Sequence, residues 1–124
     1  MGERIVVPVA DERGLDAQLS EHFGRAPFFV VVELEDSGEI SSVRTVSNFG
    51  EHFGGRGYAH DAILEEKPNA IIVYRMGPRG LSSFQEAGVA VLKANANTVK
   101  EVIAAYRENK LQELTEGCHQ AHHR

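Results

Sequence analysis

Four short stretches of this chain are apolar almost from end to end, and they leave few folds open. They are Ile5–Ala10, Phe28–Leu34, Ala70–Tyr74 and Val89–Leu92. Runs of this length and continuity read as strands with both faces covered. Phe28–Leu34, dominated by aromatic and β-branched residues, is the strongest of them. Pro8 interrupts the first; it cannot donate to a ladder, so it belongs near that strand's end or at a bulge.

The connections complete the outline. Asp36-Ser37-Gly38 is a turn, and Ile40–Ser47, richer in Ser, Thr and Arg, is a more exposed partner strand. Together with Phe28–Leu34 it makes a hairpin. Asp11–Ser20 is polar and reads as a loop. A first helix starts near Tyr58, with Ala59, Ala62 and Ile63 at helical spacing and Pro68 limiting it. A second takes Pro78 in its first turn, places Leu81, Phe84 and Ala87 on one face and ends at Gly88. A third is capped by Asn97 or Thr98. Thr98 and Glu101 have capping-box spacing, and Val99, Val102, Ile103 and Tyr106 form its buried stripe. Asn109–Gly117 winds down. The predicted order is β-β-β-α-β-α-β-α, a mixed sheet with helices on its faces.

The chain is 124 residues, enough for one domain with one substantial core. Its formal charge of −5 argues against a general nucleic-acid binder, which carries a basic face. No apolar run approaches a membrane span, and no signal-peptide h-region is evident. The single cysteine, Cys118, excludes an internal disulfide framework, so a reducing cytoplasm is the expected compartment.

The chemistry lies in the loops. Glu21-His22-Phe23-Gly24-Arg25 is echoed by Glu51-His52-Phe53-Gly54-Gly55-Arg56, and Met76-Gly77-Pro78-Arg79-Gly80 adds a third glycine loop with an arginine. In open α/β sheets, ligands gather where loops leave strand ends and feed helix N-termini. Glycines admit close backbone approach. Helix N-termini and Arg25, Arg56 and Arg79 favour negative charge. A phosphate would need no imidazoles, whereas an anionic metal cluster would use the arginines together with His22 and His52. Taken singly, each feature has an ordinary explanation. A loop histidine is usually solvent-exposed, Phe23 and Phe53 suit hydrophobic pins, and glycines permit turns. It is the coincidence of three loops that favours a site.

The stretch Gly117-Cys118-His119-Gln120-Ala121-His122-His123-Arg124 is a second candidate. Cys118, His119, His122 and His123 suit soft or borderline metals. Their spacing matches no closed structural zinc motif, and a flexible tail with incidental affinity is the plainer reading. The expected division is a domain over 1–116 and a Cys/His-rich tail over 117–124.

Several of these residues also carry a family likeness. Leu15-Asp16, then Ser20-Glu21-His22-Phe23-Gly24-Arg25-Ala26-Pro27-Phe28-Phe29, the loop with His52 and Gly54-Gly55, Met76-Gly77-Pro78, Gly88-Val89, Thr98-Val99 and Leu111–Thr115 give the pattern. On these residues the chain resembles the dinitrogenase iron–molybdenum cofactor biosynthesis family, the NifX-like and NifB C-terminal-like group. The likeness extends to about Glu116. It implies a ribonuclease-H-like, three-layer α/β/α fold with a five-stranded mixed sheet. It also implies non-enzymatic binding or carriage of a metal–sulfur cluster, with the cluster-binding histidine falling on His22. The cargo would be an iron–molybdenum precursor or, as in the small orange protein, a molybdenum–copper–sulfide cluster. Implied partners are cluster-donating or cluster-accepting proteins, and a monomer or weak homodimer is expected. Tyr74-Arg75 and Arg56-Gly57-Tyr58 depart from the family's smaller residues at those places. Two other functions compete: a magnesium-dependent nuclease using carboxylates such as Asp11 and Asp16, and a metal-sensing or partner-binding module working through the tail.

Overall fold

The structure, a computed structural model, describes residues 2–47 and 63–114. The second copy of the phrase, most of the first expected helix and the Cys/His-rich tail lie outside the described residues.

Among the described residues six strands form one mixed sheet: β1 (Glu3–Val9), β2 (Phe28–Leu34), β3 (Ile40–Ser47), β4 (Ala70–Val73), β5 (Ala90–Lys93) and β6 (Gln112–Glu113). Their order across the sheet is β3-β2-β1-β4-β5-β6. β1 lies inside it, antiparallel to β2 and parallel to β4. β4 and β5 are parallel, and β6 returns antiparallel along β5. The expected five strands therefore become six. Gln112 and Glu113 are exposed and polar, and their strand character comes from backbone pairing with Lys93 and Leu92. The last apolar strand sits one residue later than expected, at Ala90–Lys93.

Pro8 fits within β1 because the ladder to β4 spans only Ile5–Ala70 and Val6–Ile71. Beyond it, the Pro8 carbonyl accepts from Ser20 N at 2.9 Å. The polar loop after β1 is also more ordered than a plain connection. It contains a 3-10 turn over Gly14–Asp16 and bridges Val9 to Leu19 and Gln18 to Thr98.

Two helices are complete among the described residues: α1 (Pro78–Glu86) and α2 (Val99–Arg107). They lie against opposite faces. Ile5, Val7, Val9, Val30, Val32, Ala70 and Ile72 pack with Val99, Val102 and Ile103 of α2. The alternate strand residues Val6, Phe29, Val31, Ile71, Val73 and Val91 pack with Leu81 and Phe84 of α1 and with Ile63. This is why the strand sequences are continuous: both alternating sets of side chains are buried.

The helix ends follow local chemistry. Thr98 Oγ1 accepts from Glu101 N at 3.3 Å and donates to Glu101 Oε1 at 3.0 Å, a capping interaction at the predicted spacing. At the end of α1, Gly88 (φ +79°) allows Val89 N to reach Phe84 O and Gly88 N to reach Gln85 O. That pair of bonds is a Schellman stop. Asn109 (φ +63°) closes α2 the same way, through Lys110 N to Ala105 O and Asn109 N to Tyr106 O. Ala87, expected on the buried face, is the exposed C-cap residue of α1.

Candidate functional site

β1, β4 and β5 are mutually parallel, so their C-terminal ends share one edge of the molecule. The loop carrying His22 follows β1, and the loop carrying Gly77 follows β4 and leads into α1. Ser47 belongs to that end too, because Val9 lies opposite Phe28 and Phe28 opposite Ser47. The chain leading to His52, Gly54, Gly55 and Arg56 thus departs from it, although those four residues are outside the described part.

Two contacts join the loops after β1 and β4. The Phe23 ring is buried and packs against Phe29 (centroids 5.2 Å apart) and edge-on against Phe84 of α1 (5.6 Å, 83°). Above it, Arg75 Nη2 lies 3.8 Å from Glu21 Oε1. The loop is steadied at Ser20, whose Oγ donates to the His22 carbonyl (3.0 Å) and accepts from His22 N (3.3 Å). Phe23 therefore serves as a pin, while His22, Gly24 and Arg25 are exposed.

Tyr74, just after β4, reaches the loop that follows β5, the third parallel strand. Its hydroxyl donates to Asn97 Oδ1 at 2.6 Å, with the Ala96 carbonyl oxygen 3.0 Å away. Burial, then the nearby carboxylates of Glu21 and Glu101, push its ionisation above the usual tyrosine value. Leu19 N donates to Asn97 O and Val99 N to Ala17 O, which ties the loop after β1 to the loop after β5.

The first turn of α1 suits an anion. Gly77 is its N-cap, no side chain among the described residues caps it, and no acidic residue occupies its first turn. Gly77, Pro78 and Arg79 are exposed. Neither Gly24 nor Gly77 has a positive φ, and a Cβ built on either meets none of the described atoms within 4 Å. Among the described residues, neither backbone strain nor packing demands glycine at these two places.

Some expected groupings lie elsewhere. Among the described residues no three His, Cys, Asp or Glu side chains are placed to hold a metal ion. Asp11 is engaged by Arg13, through Nε at 3.2 Å and N at 3.0 Å, which holds its carboxyl below the usual range. Two surface hollows of about 580 and 640 Å³ sit at the opposite end of the sheet, lined by Glu3, Glu35 and Asp36 among others. Sequence reading missed the role of Glu21 and Arg75 in joining the loops. Arg75 was visible only as a departure from the family's small residues.

A model of the family described as dinitrogenase iron-molybdenum cofactor matches residues 3–109. The uncharacterized protein MJ0580 of Methanocaldococcus jannaschii is 36% identical over 114 residues, covering 90% of this chain and 91% of its own. A Thermotoga protein, TM1290, solved as a candidate NifB, superposes with a TM-score of 0.76 at 25% identity, over 96% of this chain and 99% of its own. The apo form of the orange protein of Desulfovibrio gigas superposes with a TM-score of 0.73. At 22% identity, over 90% of this chain and 92% of its own, it speaks for the fold alone.

Proposed function

Because the chain belongs to the dinitrogenase iron-molybdenum cofactor family, we propose that it binds and carries an anionic metal–sulfur cluster at the C-terminal ends of β1 and β4. The cluster is cargo, taken from one protein and passed to another, and the chain is not an enzyme. Its chemistry is that of an iron–molybdenum precursor or a molybdenum–copper–sulfide unit. The layering is ribonuclease-H-like, the setting cytoplasmic, and the working form a monomer or weak homodimer. Among the described residues, no helix is long and apolar enough to cross a membrane.

One observation carries this reading. The exposed His22 lies on a loop joined to α1 by Phe23–Phe84 and to the segment before α1 by Glu21–Arg75; among the described residues no side chain caps α1 and no atom lies within 4 Å of a Cβ built at Gly24 or Gly77. Such a site offers a nitrogen donor for a borderline metal and positive potential for sulfide-borne charge. His22 is the metal ligand. Arg25, Arg79 and the α1 backbone face the charge, and Gly24 and Gly77 admit the bulk. His52, Gly54, Gly55 and Arg56, which the sequence also assigns to the ligand, lie outside the described residues. A tail site at Cys118, His119, His122 and His123 would be an accessory of separate affinity. The nuclease reading has less to stand on: Asp11 is engaged by Arg13, and Tyr74 and Arg75, not carboxylates, follow β4.

The test is reconstitution under anaerobic conditions with tetrathiomolybdate and copper, read by charge-transfer absorption. Wild type develops a saturable band and His22→Ala does not. Equal bands in both, or none in wild type, would reject the site.

A further inference from the structure

Arg75 and Glu21 link the two loops on the side of the molecule where the cargo is expected, yet the link is a weak one. Their side chains are 54% and 73% exposed, and the 3.8 Å contact is a single ion pair at the surface. Pairs of this kind contribute little stability and exchange readily with other ions. The backbone bearing Arg75 is nevertheless fixed. On one side Tyr74 is held by Asn97; on the other, Met76 is buried with Phe23 and Phe84. Glu21 is held likewise, between Ser20, whose N donates to Pro8 O, and His22, bonded to Ser20 Oγ. A solvent-exposed charge pair on two hydrogen-bonded or buried backbone anchors spans the gap between the two loops.

We propose that Arg75 is a charge-selecting contact for a multiply anionic cargo and that Glu21 is its built-in competitor. A thiometalate dianion arriving beside His22 displaces the Glu21 carboxylate from Arg75 and takes the guanidinium for itself. A neutral or singly charged solute gains less from that guanidinium than a dianion does, and so displaces the Glu21 carboxylate less effectively. Selection by net charge follows, with Glu21 setting the threshold. The inference rests on the cargo-carrier reading and names a residue pair beyond the repeated phrase.

Tetrathiomolybdate binding, measured at low and high salt, tests it with wild type, Glu21→Gln, Arg75→Ala, the double variant, and Arg75→Lys as a charge-retaining control. Both positions are exposed, so all the variants fold as wild type does. At low salt Glu21→Gln binds roughly two- to fivefold tighter and Arg75→Ala weaker by a similar factor, the range of a surface ion pair. Arg75→Lys stays close to wild type. In the Arg75→Ala background the Glu21 change has no further effect, because its consequence runs through Arg75. High salt compresses all these differences. If Arg75→Ala and Glu21→Gln match wild type while His22→Ala loses binding, the competitor mechanism is overturned and the carrier reading stands. If the Glu21 effect persists undiminished without Arg75, Glu21 acts at long range and the pairing is overturned. No binding by wild type overturns both.

Discussion

The Phe23 ring meets the Phe84 ring edge-on, with centroids 5.6 Å apart and planes at 83°. A residue from the loop after β1 thereby packs on the helix that follows β4. Edge-to-face pairs of this kind add to ordinary area burial, and this one couples the position of His22, next in the chain, to the position of α1.

Phe23→Ala should therefore cost stability and binding together. Removing a buried phenylalanine costs about 3 kcal/mol or more, and urea unfolding will read it. Phe23→Leu should recover most of the stability, with cargo binding improving in step. Full cargo binding by a destabilised Phe23→Ala would show that the pin does not position the site.

The glycines separate structure from function. Gly88 has φ +79°, so Gly88→Ala should lose about 1–2 kcal/mol for an alanine forced into the left-handed region. Gly24→Ala and Gly77→Ala face neither a positive φ nor a close described neighbour. They should melt within about a degree or two of wild type or slightly higher, since alanine restricts the unfolded chain. Both should bind tetrathiomolybdate less well. Wild-type binding by both alanine variants would mean that the open space serves no ligand.

Thr98→Ala should destabilise by about 1 kcal/mol through loss of the α2 cap, and Thr98→Ser should restore most of it. Because Val99 N also anchors Ala17 O, hydrogen exchange in the loop after β1 should rise in Thr98→Ala. Exchange confined to α2 would indicate that the cap does not support the loop.

Tyr106 gives a pH prediction. Burial, followed by its hydrogen bond to the Glu3 carboxylate, raises its ionisation well above the ordinary value of 10.0. A raised folded-state value means that stability is fully present below the unfolded-state value and is lost as pH rises towards the folded one. Wild type should lose stability above about pH 10, and Tyr106→Phe should show a shallower alkaline limb. Parallel limbs would contradict the assignment.

Much of this architecture was legible because burial on both faces leaves a plain mark. β4 and the buried stretches of β1 (Ile5–Val9) and β2 (Phe29–Val32) hold an apolar residue at every position, which no amphipathic helix requires. Thr98 with Glu101 and Gly88 after Phe84 announced their caps through residue types with few other uses. β6 left no such mark. Gln112 and Glu113 face solvent, and only the adjacent backbone of β5 makes them a strand. Asn109 closes a helix in a conformation that glycine usually signals.

The site was legible in its parts and not in its joining. His22, Gly24, Arg25, Gly77 and Arg79 stand out by type and spacing, but their shared edge follows from β1 and β4 being parallel neighbours, which no local pattern encodes. Glu21 and Arg75 meet only because of that topology. Phe23 reads from the sequence more as a pin than as a ligand contact, but what it pins against, Phe84, comes only from the fold.

The most direct test of a shared site is backbone amide NMR during titration with tetrathiomolybdate and copper. The account predicts saturable shifts, with one midpoint, at Ser20–Arg25 and at Met76–Gly80, and smaller ones near the hollows lined by Glu35 and Asp36. Shifts confined to Gly117–Arg124, or to one of the two loops alone, would contradict it.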